Sequence, residues 1–250
     1  MNSKGLAVVV LAAGKGTRMK SSLAKVLQPL KSQPLLYYVL ESLAPLNPEF
    51  FVVVVGFQSE CVKETFPDRG LIFVDQEEQL GTGHAAQQAK YALKDFSGDV
   101  LIVCGDMPFI KSKTLIDLVN RHRKKGAACT VLTLKTSEKK DFGRVIRDRE
   151  GVVFKIVEHE DASEDEKKVD EFNSGVYCFN KRLFYKALES ICDNNVQKEY
   201  YLTDTIQYIV GNNFTVETVQ IRDTVQLLGI NTQEDLDLAE KILTEETCSS

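Results

Sequence analysis

The sequence predicts an α/β fold with a mostly parallel sheet covered by helices on both faces. Three observations predict it. Short apolar runs alternate with stretches of helical spacing up to about residue 135, which is the βαβ pattern of a parallel sheet. The run Phe50 to Val55 is apolar at every position and bounded by Pro48 and Gly56, as in a strand buried on both faces. Glycine-rich segments follow strand-like runs, at the place where open α/β sheets bind ligands.

The elements follow in order. Gly5 to Leu11 reads as a strand and Leu35 to Leu43 as a helix. Phe50 to Val55 is a strand, Ser59 to Phe66 a short helix and Leu71 to Val74 a short strand. His84 to Leu93 is a helix rich in alanine and glutamine, and Val100 to Cys104 is a strand ending at Gly105. Ser112 to Lys125 is an amphipathic helix with Ser112 as its expected N-cap, followed by a strand over Ala128 to Leu134. After about residue 140 the pattern changes. Strand-like segments at Gly143 to Arg147, Val152 to Val157 and Phe172 to Phe179 have few helices between them. Helices at Arg182 to Cys192, Leu202 to Val210 and Gln233 to Leu243 surround a last strand at Phe214 to Gln220. No repeat or linker divides the chain. A single domain over 1–245 is expected, with an early half to about 135, a later half over about 136–245 and a tail over 246–250.

The 250 residues carry 31 Lys+Arg against 36 Asp+Glu, a net charge of −5. That balance argues against a nucleic-acid footprint, which would be basic. The longest apolar stretch near the start, Leu6 to Ala13, is too short for an export signal or a membrane span. A cytoplasmic protein is expected. No two of the six cysteines lie in a Cys-x-x-Cys spacing, so they read as free thiols. Cys104, Cys129 and Cys178 lie in apolar runs and read as core residues. His84, His122 and His159 are far apart, which argues against a histidine metal site. The acidic stretch Glu160 to Glu171 reads as solvated loop, while Glu158 closes an apolar strand.

Three segments carry chemistry. Leu11-Ala12-Ala13-Gly14-Lys15-Gly16-Thr17-Arg18-Met19 follows the first strand. Its small residues admit close backbone approach, and its N–H groups suit an anion. Lys15, Arg18 and Lys25 add charge that suits a triphosphate. Met19 stands where a dinucleotide fingerprint needs glycine, and Val9 where a P-loop needs one, so neither motif is met. Gln79-Leu80-Gly81-Thr82-Gly83-His84 suits contact with a flat ring or a ribose, or else a tight turn with Thr82 as N-cap. Gly105-Asp106-Met107-Pro108 places a hard carboxylate at the end of a strand, suited to Mg²⁺ or to a plain turn.

Together these segments resemble the sugar-1-phosphate nucleotidylyltransferases, from Val8 to about Leu243. The opening segment with Lys25-Val26-Leu27 is specific to that superfamily. Within it, the chain is similar to the uridylyltransferase half of bacterial N-acetylglucosamine-1-phosphate uridylyltransferases. That narrower resemblance rests on Phe142-Gly143-Arg144-Val145, Val157-Glu158-His159, Asn173-Ser174-Gly175-Val176, Glu199-Tyr200-Tyr201-Leu202-Thr203-Asp204 and Gly229-Ile230-Asn231.

The resemblance implies a Rossmann-like fold of the nucleotide-diphospho-sugar transferase type with a small sugar-binding lobe. It implies that Leu11, Ala12, Ala13 and Gly14 contact the nucleotide and that Gln76 and Gly81 read the uracil edge, with Thr82 beside them. Arg18 and Lys25 would be the catalytic cations, and Asp106 and Asn231 would hold Mg²⁺. Gly143, Glu158 and Asn173 would bind the N-acetylhexosamine. The implied substrates are UTP and a sugar 1-phosphate, with no nucleic-acid or membrane partner. Read alone, Glu158 also fits the start of the acidic loop, Asn173 a strand edge, and Asn231 a helix start where Thr232 caps. Three residues depart from the family pattern: Ala24 for proline, Cys104 for tyrosine and Ser174 for threonine. Bifunctional members continue into a left-handed β-helix acetyltransferase. No hexapeptide repeat precedes Ser250, so acetyl transfer is not expected. Rival readings are the same chemistry on glucose 1-phosphate or dTTP, a non-catalytic sugar-nucleotide binder, and a NAD enzyme.

Overall fold

A computed structural model describes residues 5–67, 69–138 and 141–248. Its first strand, β1 (Gly5–Ala12), is buried along almost its whole length. A small hairpin, β2 (Pro29–Leu30) and β3 (Gln33–Pro34), leads into α1 (Leu35–Leu43). Next come β4 (Phe50–Val55), α2 (Ser59–Thr65), β5 (Ile72–Asp75), α3 (Thr82–Gln88) and β6 (Gly98–Cys104). The chain continues through α4 (Ser112–Lys125), β7 (Cys129–Lys135), β8 (Arg144–Arg147), β9 (Val153–Val157) and β10 (Glu171–Asn180). It ends with α5 (Lys181–Leu188), α6 (Asp204–Gly211), β11 (Val216–Ile221) and α7 (Gln233–Cys248).

The main sheet has the order β11-β7-β10-β6-β1-β4-β5, with β8 and β9 attached to β10. β1 pairs in parallel with β4 and β6, β4 with β5, and β11 with β7. β10 lies between β6 and β7 and is antiparallel to both. The sheet is therefore mostly parallel, with one reversed strand near its centre.

Period-two alternation sorts β1 between two cores. Val8 and Val10 face α1, α2 and α4 through Val39, Val62 and Leu118. Ala7 and Val9 face α3, α5 and α6 through Ala86, Phe184 and Ile206. A third cluster joins Ile230, Leu236 and Ala239 of the chain's end to Met19, Leu30 and Leu35 of its beginning. The sheet thus has helices on both faces, and the last helix returns to the first loop.

Several boundaries differ from expectation. The helix expected at His84 to Leu93 begins at Thr82 and ends at Gln88. The one expected to reach Cys192 stops at Leu188. The last helix does not stop at Leu243. It runs to Cys248 through residues assigned to a tail, while residues 249 and 250 lie outside the described ones. Ser112 does not cap α4, whose N-cap is Lys111 with no side-chain bond. Glu171 is not solvated. It is buried, with both oxygens on Arg147 at 2.7 and 2.8 Å. Glu166 is held by Lys155 and Ser163, which pull its carboxyl down to about 2. Cys61, Cys104, Cys129, Cys178 and Cys192 are free thiols. Cys129 and Cys178 are core residues as expected, while Cys104 is half-buried. Among the described residues, no helix is long and apolar enough to cross a membrane.

Candidate active site

β1 and β6 are neighbours from which the chain proceeds in opposite directions across the sheet. Such a switch point leaves a crevice at the carboxyl ends of its strands. Leu11 pairs with Cys104 there, and Gly105 N–H donates to the Leu11 carbonyl at 2.9 Å. Leu11, Ala12, Ala13, Gly14, Lys25, Gln76, Gly81, Thr82 and Asp106 all line one cleft at this point. Val26, Gln79, Ala85, Cys104 and Glu199 complete its wall.

The charged centre is compact. Lys25 Nζ lies 2.5 Å from Asp106 Oδ2 and 3.1 Å from Asn231 Oδ1. Arg18 donates to the same Asn231 oxygen at 3.0 Å. Four residues from three distant parts of the chain therefore meet. The local sequence explains how each arrives. Gly16 has φ +67°, a left-handed value that suits glycine. A Cβ there would sit 2.6 Å from Lys25 Cβ, so the absent side chain is what lets the lysine stem pass. Asp106 follows β6 directly, and its carbonyl accepts from Ile230 N–H at 3.0 Å. Thr232 and Asp235 form a reciprocal cap at the start of α7. Asp235 N–H donates to Thr232 Oγ1 at 3.1 Å, and Thr232 N–H to Asp235 Oδ2 at 2.9 Å. That cap leaves the Asn231 side chain free to turn inward. Lys15 does not join the group. Its ammonium sits 5.3 Å from the centre of the Phe57 ring.

Asp106 and Asn231 each aim an oxygen at the one ammonium. A carboxylate and an amide oxygen converging on one cation are the donor set of a small hard ion that keeps water and phosphate oxygens as its other ligands. Gly229 leaves the space beside them open, its Cβ position lying 3.3 Å from Asn231 Nδ2 and 3.7 Å from Asp106 Oδ2.

The cleft's far wall is built by Gln76 and α3. Gln76 is buried, and its Nε2 donates to the Gly81 carbonyl at 3.2 Å and lies 3.0 Å from His84 Nδ1. Gly81, at φ +107°, is the N-cap of α3, and a Cβ there would meet the Tyr200 carbonyl at 2.7 Å. Thr82 is not the cap. It is the first helical residue, and its hydroxyl accepts from Leu202 N–H at 3.0 Å, tying α3 to the segment before α6.

The residues of the later half gather beside Cys104. Asn173 N–H donates to the Gly143 carbonyl at 2.8 Å, and a Cβ on Gly143 would lie 3.3 Å from Glu158 Oε2. The register of β10 on β7 breaks between Asn173 and Tyr177, a bulge next to the cleft. Side chains satisfy the bulged backbone: Gly175 N–H donates to Asn173 Oδ1, and Val176 N–H to Ser174 Oγ. The Cys104 thiol points at the Gly175 carbonyl, 3.9 Å away, and joins the two groups of residues.

Burial shapes the titration here. Desolvation raises the Glu158 carboxyl, while the Thr203 hydroxyl, donating to Oε1 at 2.8 Å, pulls it back. Burial, with Asp106 nearby, pushes the Cys104 thiol up to about 12, so it is no nucleophile at neutral pH. Burial also raises Asp204 to about 6, assisted by Asp161.

Sequence reading quoted Gln79, Glu199 and Thr203 within their motifs but gave no individual role to Gln79 and Glu199, which line the cleft, or to Thr203, which donates to Glu158. His84 was quoted within its motif without a role.

A mostly parallel sheet with two cationic side chains, a carboxylate and an amide gathered at its switch point defines a ligand-binding α/β protein of the open-sheet class. The chain belongs to the MobA-like NTP transferase domain family, whose model matches residues 8–198. It is 41% identical over 238 residues to a bifunctional protein GlmU of Desulfotalea psychrophila, covering 95% of this chain and 70% of that one. A bifunctional protein GlmU of Acetivibrio thermocellus is 42% identical over 238 residues, and there the chain spans 51% of the relative. Two solved structures share the fold. A UDP-glucose pyrophosphorylase complexed with UDP-glucose superimposes with a TM-score of 0.78 at 16% identity, covering 97% of this chain and 99% of the other. A putative glucose-1-phosphate thymidylyltransferase from Bacillus anthracis gives 0.77 at 15%, covering 95% of each chain.

Proposed function

We propose that the chain transfers a uridylyl group from UTP to N-acetylglucosamine 1-phosphate, forming UDP-N-acetylglucosamine and pyrophosphate. The observation that carries this is the convergence of Lys25, Arg18, Asp106 and Asn231 at the switch point. The names of the GlmU relatives support the narrower choice of substrates.

A phosphate oxygen of the sugar 1-phosphate attacks the α-phosphorus of UTP in line, and pyrophosphate leaves. That oxygen is already ionised at neutral pH, so the protein supplies no nucleophile and no base. It supplies alignment and charge. Arg18 and Lys25 balance negative charge on the α-phosphate and on the departing pyrophosphate. Leu11 to Gly14 give backbone contacts to the nucleotide, and Gln76, Gly81 and Thr82 hold the uracil edge. Gly143, Glu158 and Asn173 hold the N-acetylhexosamine, with Glu158 accepting from sugar hydroxyls and Asn173 able both to donate and to accept. Mg²⁺, held by Asp106 and Asn231, would neutralise phosphate charge. On this reading residues up to about 135 bind the nucleotide and about 136–245 bind the sugar, with Asn231 crossing back. The setting is the cytoplasm.

A second reading keeps the chemistry and changes the substrates to glucose 1-phosphate or dTTP. The fold neighbours named for UDP-glucose and for thymidylyl transfer favour it. Pyrophosphate release tests both. The wild-type protein with UTP, Mg²⁺ and a sugar 1-phosphate should release one pyrophosphate per UDP-sugar. Asp106→Ala should lose about 10²–10³-fold in turnover at saturating Mg²⁺. Absence of release with every sugar 1-phosphate and nucleotide tried rejects the reaction, and near-normal turnover in the variant rejects the role of Asp106.

A further inference from the structure

Lys25 must be held at one point, yet the chain just before it has no regular structure. Residues 20–24 form neither helix nor strand. They are fixed from outside. Gln58, the residue before α2, donates from Nε2 to the Ser22 carbonyl at 2.9 Å. Its Oε1 accepts from Ala24 N–H at 2.7 Å. Ala24 is buried, and its carbonyl then accepts from Leu27 N–H at 2.9 Å to start the turn that carries Lys25. Gln28 secures the peptide between them, donating to the Leu23 carbonyl at 3.0 Å.

Gln58 keeps this position against its own backbone preference. It has φ +54° and ψ +40°, left-handed values that strain any residue with a side chain. Its side chain makes no capping bond to α2. Glycine would suit the backbone better, and nothing in α2 needs the carboxamide. Both bonds of that carboxamide go to the segment 34 and 36 residues earlier in the chain. Strain retained for one set of contacts points to what those contacts do.

We infer that Gln58 is a positioning residue for Lys25. Its carboxamide clamps Ser22 and Ala24, and the clamp sets the register from which the Lys25 ammonium reaches Asp106 and Asn231. On the other side Gly16 admits the lysine stem. Gln58 touches no substrate on this account and acts only through the loop. The kinetic consequence rests on the nucleotidyl-transfer reading, whereas the placement of Lys25 does not.

Gln58→Gly separates the two roles a residue here can have. It removes the clamp and relieves the backbone. The melting temperature should hold or rise, while kcat falls by about tenfold with KM for the sugar 1-phosphate unchanged. The Lys25 side chain, released from Asp106, should also lose its proton and be acylated as the free amine more readily. Its acetylation by N-hydroxysuccinimidyl acetate, followed by peptide mass spectrometry, should run severalfold faster than in wild type, with other lysines unaffected. Unchanged kcat with unchanged Lys25 labelling overturns the inference. So does a kcat loss that comes with a clear fall in melting temperature and no change in labelling, since that is a merely structural role. If wild type itself releases no pyrophosphate, the reaction is rejected, and the labelling still decides the clamp.

Discussion

The two sides of the cleft present their functional groups by different means. On the β1/β6 side, side chains and backbone groups come from the ends of parallel strands, and their direction follows from the strand order. On the β8/β9/β10 side, Gly143, Glu158 and Asn173 meet at or near the ends of antiparallel strands, where the register of β10 on β7 breaks and Asn173 Oδ1 accepts from Gly175 N–H. The first side gathers cations next to Asp106. The second is acidic and partly desolvated: burial raises the Glu158 carboxyl, and the charges of Asp204, Asp161 and Glu199 around it raise it further. A polyanion suits the first, and a neutral ring rich in hydroxyls suits the second. One protein of net charge −5 thus carries two neighbouring regions of opposite character, with the Cys104 thiol directed at the Gly175 carbonyl between them.

Substitutions on each side should therefore have separable effects. The largest belongs to the cationic side, where Asp106→Ala should lower turnover by about 10²–10³-fold for every sugar 1-phosphate alike. Next is Glu158→Gln, which keeps the shape and removes the charge. Losing a charged acceptor for a sugar hydroxyl should raise KM for the sugar 1-phosphate by about tenfold, with KM for UTP changed less than about twofold. Steady-state kinetics with each substrate varied in turn would show it. Equal effects on both KM values would erase the distinction between the sides.

The smallest effect is on stability. Asp204 titrates near 6 when folded, above its ordinary value of 3.8, because burial and Asp161 disfavour its charge. The folded state therefore binds the proton more tightly. The stabilisation this gives is full below the unfolded value and is lost as the pH rises through about 6. Asp204→Asn should thus gain on wild type as pH increases, by about 2 °C in melting temperature between pH 4.5 and 7.5. Thermal melts across that range check the sign. A gain confined to the acid end contradicts it.

Much of the β1/β6 side was legible in the sequence. Apolar runs at Gly5 to Leu11, Phe50 to Val55 and Val100 to Cys104 are strands at nearly those limits. Their order places Gly14 and Asp106 at the same end. The other side was less legible. Phe172 to Phe179 reads as a strand, but nothing in its composition says that it runs antiparallel in the middle of the sheet. Its bulge depends on the Asn173 and Ser174 side chains bonding backbone, which only the packed strands reveal. Helix starts failed for a related reason. Thr82 and Ser112 have good capping chemistry, yet tertiary contacts claim the Thr82 hydroxyl, and α4 starts without a side-chain cap. Gln58 left no trace at all, because its strain and its partners are visible only in three dimensions.

The proposed transfer is a single in-line displacement at the α-phosphorus, with charge and alignment supplied by the protein and no covalent enzyme intermediate. UTP made chiral at that phosphorus with one sulfur tests it most directly, by reading the configuration of the UDP-sugar product. Inversion is expected, the outcome of one attack by the sugar phosphate. Retention would mean two successive displacements through a protein nucleophile, and would contradict it.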